Sequence, residues 1–252
     1  MKQKITKKYL KYLLLVIFLF VVAFFAVAIF LNKETSKLEN PPKKIEIEEK
    51  PEIITSPYNN ELPNYRLSYN NNNIYGKLEI PGIGLDTLVT RASDNNYYLE
   101  NNLYNVHDGL GAPFFDYRNT DLNNERQINI YGHNTQNEKF KESLPFIKLE
   151  SYLNKTVFDQ EKQITLKIDE RQINYELIAI KILKDGNPEH MQVKFVDELD
   201  FKNHINRLLE GSTYISDDLK IEPGDKIIVL QVCHYDPPGS YLLAIGKEII
   251  KK

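Results

Sequence analysis

Cysteine occurs once in the 252 residues, at Cys233, and histidine occurs five times, at His107, His133, His190, His204 and His234. A single thiol excludes an intramolecular disulfide. What remains is a small buried hydrophobe, an intermolecular bridge or a reactive group. A reactive cysteine must become a thiolate, and a nearby imidazole can take its proton. His133 follows the apolar stretch Gln127-Ile128-Asn129-Ile130-Tyr131-Gly132. Cys233 closes the stretch from Lys226 to Val232 (KIIVLQV) and is followed by a Pro- and Gly-containing loop. Both stretches read as strands, and strand ends beside loops are where rigid scaffolds present reactive groups. On residue types alone the bland alternative stays open: a core thiol and a structural imidazole. His107, His190 and His204 have no spaced partners and there is one cysteine, so no zinc set is expected. No Gly-rich phosphate loop is present, and no cofactor is expected.

The elements that must position these residues are mostly strands. Runs at 75–80, 85–90, 127–132, 163–169, 172–184, 226–233 and 241–250 carry β-branched and aromatic residues, several in alternation. Pro81-Gly82, Asp185-Gly186 and Pro223-Gly224-Asp225 mark turns. Helical signals are fewer: a short segment at 95–102, a helix over 139–153 broken at Pro145, and a helix over 197–211. In the last, Leu199, Ile205, Leu208 and Leu209 share a face, acids lead the first turn and Gly211 ends it. Many short strands with helices at the edges predict a mainly β fold, a barrel with peripheral helices.

Ahead of the strands the chain changes character. Tyr12 to Leu31 is a run of 20 residues without a charge, about 30 Å as a helix and thus the thickness of a bilayer core. Lys2, Lys4, Lys7, Lys8 and Lys11 precede it, which predicts a cytoplasmic N-terminus and an exported remainder. Ala26-Val27-Ala28 resembles a cleavage site, but the apolar run continues past it, so an uncleaved anchor is the reading. The segments expected are a basic tail (1–11), a transmembrane signal anchor (12–31), an extended tether and lead-in (32–69) and a catalytic domain (70–252). Net charge is −3, and setting aside the five lysines of residues 1–31 leaves −8 for the rest. A net-acidic ectodomain argues against a nucleic-acid partner.

At this point the residues resemble a known family, the sortases, and within it class B. The resemblance covers residues 70–250 and rests on ordered blocks. These are Asp94-Asn95-Asn96-Tyr97-Tyr98-Leu99, Phe114-Phe115-Asp116-Tyr117-Arg118-Asn119, Ile130-Tyr131-Gly132-His133-Asn134, the Phe140 to Leu144 segment and the strand ending at Cys233. A helix inserted between late strands, here 197–211, is characteristic of class B. The resemblance implies an eight-stranded sortase-type barrel and a monomeric cysteine transpeptidase of a Gram-positive cell surface, held in the membrane by its N-terminal helix. Cys233 is implied as nucleophile, attacking a C-terminal sorting signal of a secreted protein. His133 is implied as acid and base, and an amine of a peptidoglycan precursor or a pilin as acceptor. The Asp116 to Asn119 block reads as structural, with Asp116 and Arg118 paired.

The chain departs from the family in two places. The family places an Arg on the strand after the Cys, to bind substrate and stabilise the oxyanion. Here Tyr241 falls on that position, and no Arg lies between Cys233 and Lys252. The family's Thr-Leu-x-Thr-Cys is Val229-Leu230-Gln231-Val232-Cys233, without hydroxyls. Tyr241 is the candidate substitute, with His234, Arg118, Arg126, Arg171 and Arg207 as other donors. The alternative is a degenerate sortase-like domain that binds sorting signals or assists surface-protein assembly.

Overall fold

The computed structural model describes residues 59–184 and 192–249. The expected membrane segment and residues 32–58 of the expected tether and lead-in lie outside the described residues. Among the described residues no helix is long and apolar enough to cross a membrane.

In chain order the elements are α1 (Leu62–Tyr69), β1 (Ile74–Ile80), β2 (Leu85–Thr90), β3 (Phe114–Phe115), β4 (Gln127–Gly132), α2 (Glu138–Lys141) and α3 (Lys155–Gln160). Then follow β5 (Gln163–Lys167), β6 (Gln172–Leu183), α4 (Glu198–Leu209), β7 (Tyr214–Ile215), β8 (Ile227–His234) and β9 (Ser240–Glu248). Short 3-10 turns cover Pro81–Ile83 and Tyr97–Leu99, and a longer one covers Pro145–Leu153. The sheet runs β5-β1-β2-β3-β4-β8-β9-β6, and pairing of β5 with β6 closes it into a barrel, as the strand pattern predicts, with the eight strands that the family resemblance implies. The short β7 adds to the far half of β6, beyond the reach of β5. Closure removes the open edges that invite unwanted pairing.

Alternation explains the layers. On β8, Ile228, Leu230 and Val232 point into the barrel, while Ile227 and Val229 point outward. On β9, Leu242 and Ala244 point in, while Tyr241, Leu243 and Ile245 point out. Phe146, Leu149 and Tyr152, from the 3-10 segment begun by Pro145, are fully buried in the barrel core. Outside, α4 lays Phe201, Ile205 and Leu208 over Ile227, Val229, Leu243 and Ile245. Each such buried side chain contributes about 1.5–3 kcal/mol.

The helical face differs from the one the spacing predicts. Leu199 is exposed, and the buried stripe runs Phe201, His204, Ile205, Leu208. Phe201, on the face beside the predicted one, packs into the outer cluster and turns the helix toward it. Asp197 caps the helix by accepting from the Asp200 N–H. The 95–102 segment forms a turn only at Tyr97–Leu99. The helix α1 precedes residue 70, where the sequence reading starts the domain. It packs Leu62 against Ile74 and Leu88, and Arg66 pairs with Asp169 at 2.6 Å. One buried apolar residue in eight gives no periodicity, so the element is silent in the sequence.

The Asp116 block is structural, as expected. Asp116 is fully buried, and Arg118 donates to both its oxygens, at 2.8 and 2.6 Å. The Tyr131 hydroxyl donates to it at 2.8 Å. Burial alone raises the Asp116 pKa, but Arg118 and Tyr131 together hold it below its ordinary 3.8. A depressed carboxylate contributes stability that is present above its ordinary pKa and lost as pH falls through the folded one. Asp116→Ala is expected to cost about 3–5 kcal/mol, because it removes the buried carboxylate to which Arg118 and Tyr131 both donate. Urea unfolding at pH 7 measures this, and a loss below about 1 kcal/mol contradicts it.

Candidate active site

Two parallel strands lead to the two candidate residues. β4 and β8 pair residue for residue from Gln127 with Ile227 to Gly132 with Val232. One step further are His133 and Cys233. Parity puts both on the outer face of the barrel, because Gly132 and Val232 before them face inward. The inward position at 132 must be glycine: a Cβ there would lie 2.2 Å from the Phe146 ring that fills the barrel below. Antiparallel β9 brings a third residue. Tyr241 is paired directly with Cys233, so the two share a face, and such partners carry their Cβ atoms about 4.5–5.5 Å apart. The Tyr241 ring leans on the outer cluster that α4 covers. Register thus puts Cys233 and Tyr241 on one face, and His133 follows the end of β4, the strand paired with β8.

The loop over 97–113 seats His133. Its Nε2 lies 2.9 Å from the Leu99 carbonyl oxygen. A carbonyl only accepts, so Nε2 carries the hydrogen and Nδ1 is the basic nitrogen of the neutral ring. Gly111 has φ +57°, and a Cβ there would lie 2.3 Å from the Tyr98 carbonyl and 3.0 Å from the His133 ring. Only glycine lets this loop close over the imidazole. Nothing in the sequence separates Gly111 from Gly109 two residues before it. A cavity of about 520 Å³ opens beside His133, between this loop and residues 142–148.

Burial governs the charge states. It pushes the Cys233 thiol above its ordinary 9.0. It pulls His133 below its ordinary 6.5, only partly offset by the bond to Leu99. At neutral pH the resting pair is therefore thiol and imidazole, not thiolate and imidazolium. The arrangement suits a base that removes the proton as the sulfur attacks.

Four of the other proposed donors, Arg118, Arg126, Arg171 and His234, are engaged elsewhere. Arg118 is on Asp116. Arg126 pairs with Glu198 at 2.7 Å, and Arg171 pairs with Glu248 at 3.3 Å, both at the opposite end of β4 and β9. His234 points to the interior side, toward Glu150. His204 is buried under α4, its Nε2 2.7 Å from the Gln127 side-chain oxygen. Among the described residues no cluster of His, Cys, Asp and Glu could hold a metal ion.

No protein-family model matches the chain. The chain is 28% identical to sortase B of Listeria monocytogenes over 164 residues, 65% of this chain and 63% of that protein's length. It is 23% identical to sortase B of Staphylococcus aureus over 182 residues, 71% of each. Among solved structures, Clostridium perfringens sortase B superposes with a TM-score of 0.67 at 24% identity, covering 75% of this chain and all of that one. The Listeria sortase B structure gives 0.63 at 25% identity, covering 73% and 99%. A Staphylococcus aureus sortase B–substrate complex gives 0.65 at 20% identity, covering 75% and 85%.

Proposed function

We propose that this chain, similar to the class B sortases, is a cysteine transpeptidase acting on sorting signals of secreted proteins. The observation that supports this reading is the parallel register of β4 and β8, whose last pair, Gly132 with Val232, immediately precedes His133 and Cys233. In the first half-reaction the Cys233 sulfur bonds to the carbonyl carbon of the signal as Nδ1 of His133 takes the thiol proton. The tetrahedral adduct then collapses to a thioester. The leaving amine takes its proton from His133. In the second half-reaction an amine of a peptidoglycan precursor or a pilin attacks the thioester carbon. His133 removes its proton and returns one to the departing sulfur. Tyr241, opposite Cys233, is the candidate oxyanion donor in place of an Arg.

One observation favours a second reading, a domain that binds sorting signals without turning them over. A phenol is a single neutral donor, where an Arg offers a charged fork. The deciding experiment incubates the full chain with a sorting-signal peptide library and an amine acceptor. A new amide product with release of the C-terminal fragment supports the transpeptidase. Retained peptide without product supports the binder.

The charge states set the pH dependence. The profile of kcat/KM should be flat from below pH 6.5 to above pH 9, because burial moves the His133 limb down and the Cys233 limb up. Limbs that close inward toward neutrality would contradict the neutral pair.

Residues 12–31 are proposed to anchor the chain in the membrane with the barrel outside. Protease added to intact protoplasts should then remove the barrel, and full protection would refute that orientation.

A further inference from the structure

The main-chain ladder between β4 and β8 stops at Gly132 and Val232, one residue short of both reactive side chains. Side chains take over beyond it. The Asn134 amide nitrogen donates to the Cys233 carbonyl oxygen at 2.9 Å and to Glu150 Oε1 at 2.9 Å. Its amide oxygen accepts from the Thr135 N–H at 2.7 Å. Two acceptors on one side and a donor on the other leave a single orientation for this amide. The Asn134 main-chain carbonyl accepts from the Tyr235 hydroxyl at 2.8 Å. From the other strand, Nδ1 of His234 lies 3.2 Å from the same Glu150 Oε1. The residue after His133 and the residue after Cys233 thus meet at one carboxylate. Asn134 and His234 are each 7% exposed. Glu150 rides on the 3-10 segment whose Phe146, Leu149 and Tyr152 are fully buried in the barrel, so its position is fixed by the core.

We propose that Asn134, Glu150 and His234 form a clasp that sets Cys233 and His133 at matching height, with Asn134 as the principal positioning residue. It rests on the reading of Cys233 and His133 as one reacting pair. The clasp acts through the Cys233 carbonyl and the two chain ends, and takes no part in the chemistry. Alignment of this kind carries large rate factors, because a misplacement of about 1 Å can cost about a hundredfold. The sequence shows the Asn as part of a block but cannot show Glu150, which lies 84 positions from its partner His234.

The test is a double-mutant cycle read by iodoacetamide alkylation of Cys233 in the full chain at pH 7.5. The four chains are unaltered, Asn134→Ala, His133→Ala and the pair. Asn134→Ala should slow alkylation about tenfold while His133 is present and change it less than about twofold once His133 is Ala, because residues acting as a unit are not additive. Glu150→Gln is the milder variant, and it should slow alkylation in the same background-dependent way if Asn134→Ala does not fold. Equal slowing in both backgrounds, or no slowing with His133 present, overturns the clasp. Iodoacetamide needs no sorting signal, so failure of the transpeptidase reading shows separately, as absent peptide product alongside an intact cycle.

Discussion

Cys233→Ala and His133→Ala should each abolish peptide transfer while leaving the barrel folded. The expected loss is on the order of 10³-fold or more for either, and the pair together should lose scarcely more than one alone, as for any residues that work as a unit. The fold should tolerate both changes for a structural reason. Cys233 and His133 lie on the outer face at the end of their strands, and neither belongs to the clusters that fill the barrel or seat α4. Truncation there opens no core cavity, so the melting temperature should move by only a few degrees. Turnover that survives Cys233→Ala would remove the nucleophile from the account. Unfolding of both variants would return the pair to the bland reading, in which they only pack.

The second large effect is expected at Tyr241. Its register opposite Cys233 puts the two side chains on the same face of the sheet. Tyr241→Phe removes one neutral donor, and the loss of one oxyanion donor costs about 10²–10³-fold in kcat. The rate should therefore fall by about 10²-fold with KM little changed, since the bond is made to charge that exists only in the transition state. Tyr241→Arg should raise activity, because a guanidinium brings both charge and a fork. If neither change alters acylation of Cys233, Tyr241 is not the substitute, and a binder without turnover becomes the better reading.

The strands were legible because β-branched residues alternate. Gln127–Gly132 is read to the residue, and β8 to within one residue at each end. The two strand ends next to Cys233 and His133 could therefore be placed from the sequence, and so could the strand that carries Tyr241, which opens one residue earlier than read, at Ser240. What lay beyond reach was whatever depends on contacts distant in the chain. The pairing of β4 with β8 joins residues about a hundred positions apart, and no local pattern encodes that they are parallel. Gly111 is one glycine among eleven until its φ and its neighbours are known. Glu150 sits on a segment read as helix and found as a 3-10 turn, and its partners come from two other elements. Leu199 shows the opposite failure: its apolar character is plain, yet Phe201 decides which way the helix faces.

The central claim is that Cys233 forms a covalent bond to the carbonyl carbon of a sorting signal. Its most direct test is intact-mass measurement of the full chain after brief mixing with sorting-signal peptides in the absence of an amine acceptor. The account predicts an added mass equal to the N-terminal peptide fragment, mapped to Cys233, released by hydroxylamine and absent from Cys233→Ala. A chain that binds these peptides yet never gains that mass, at any pH between 6.5 and 9, would contradict it.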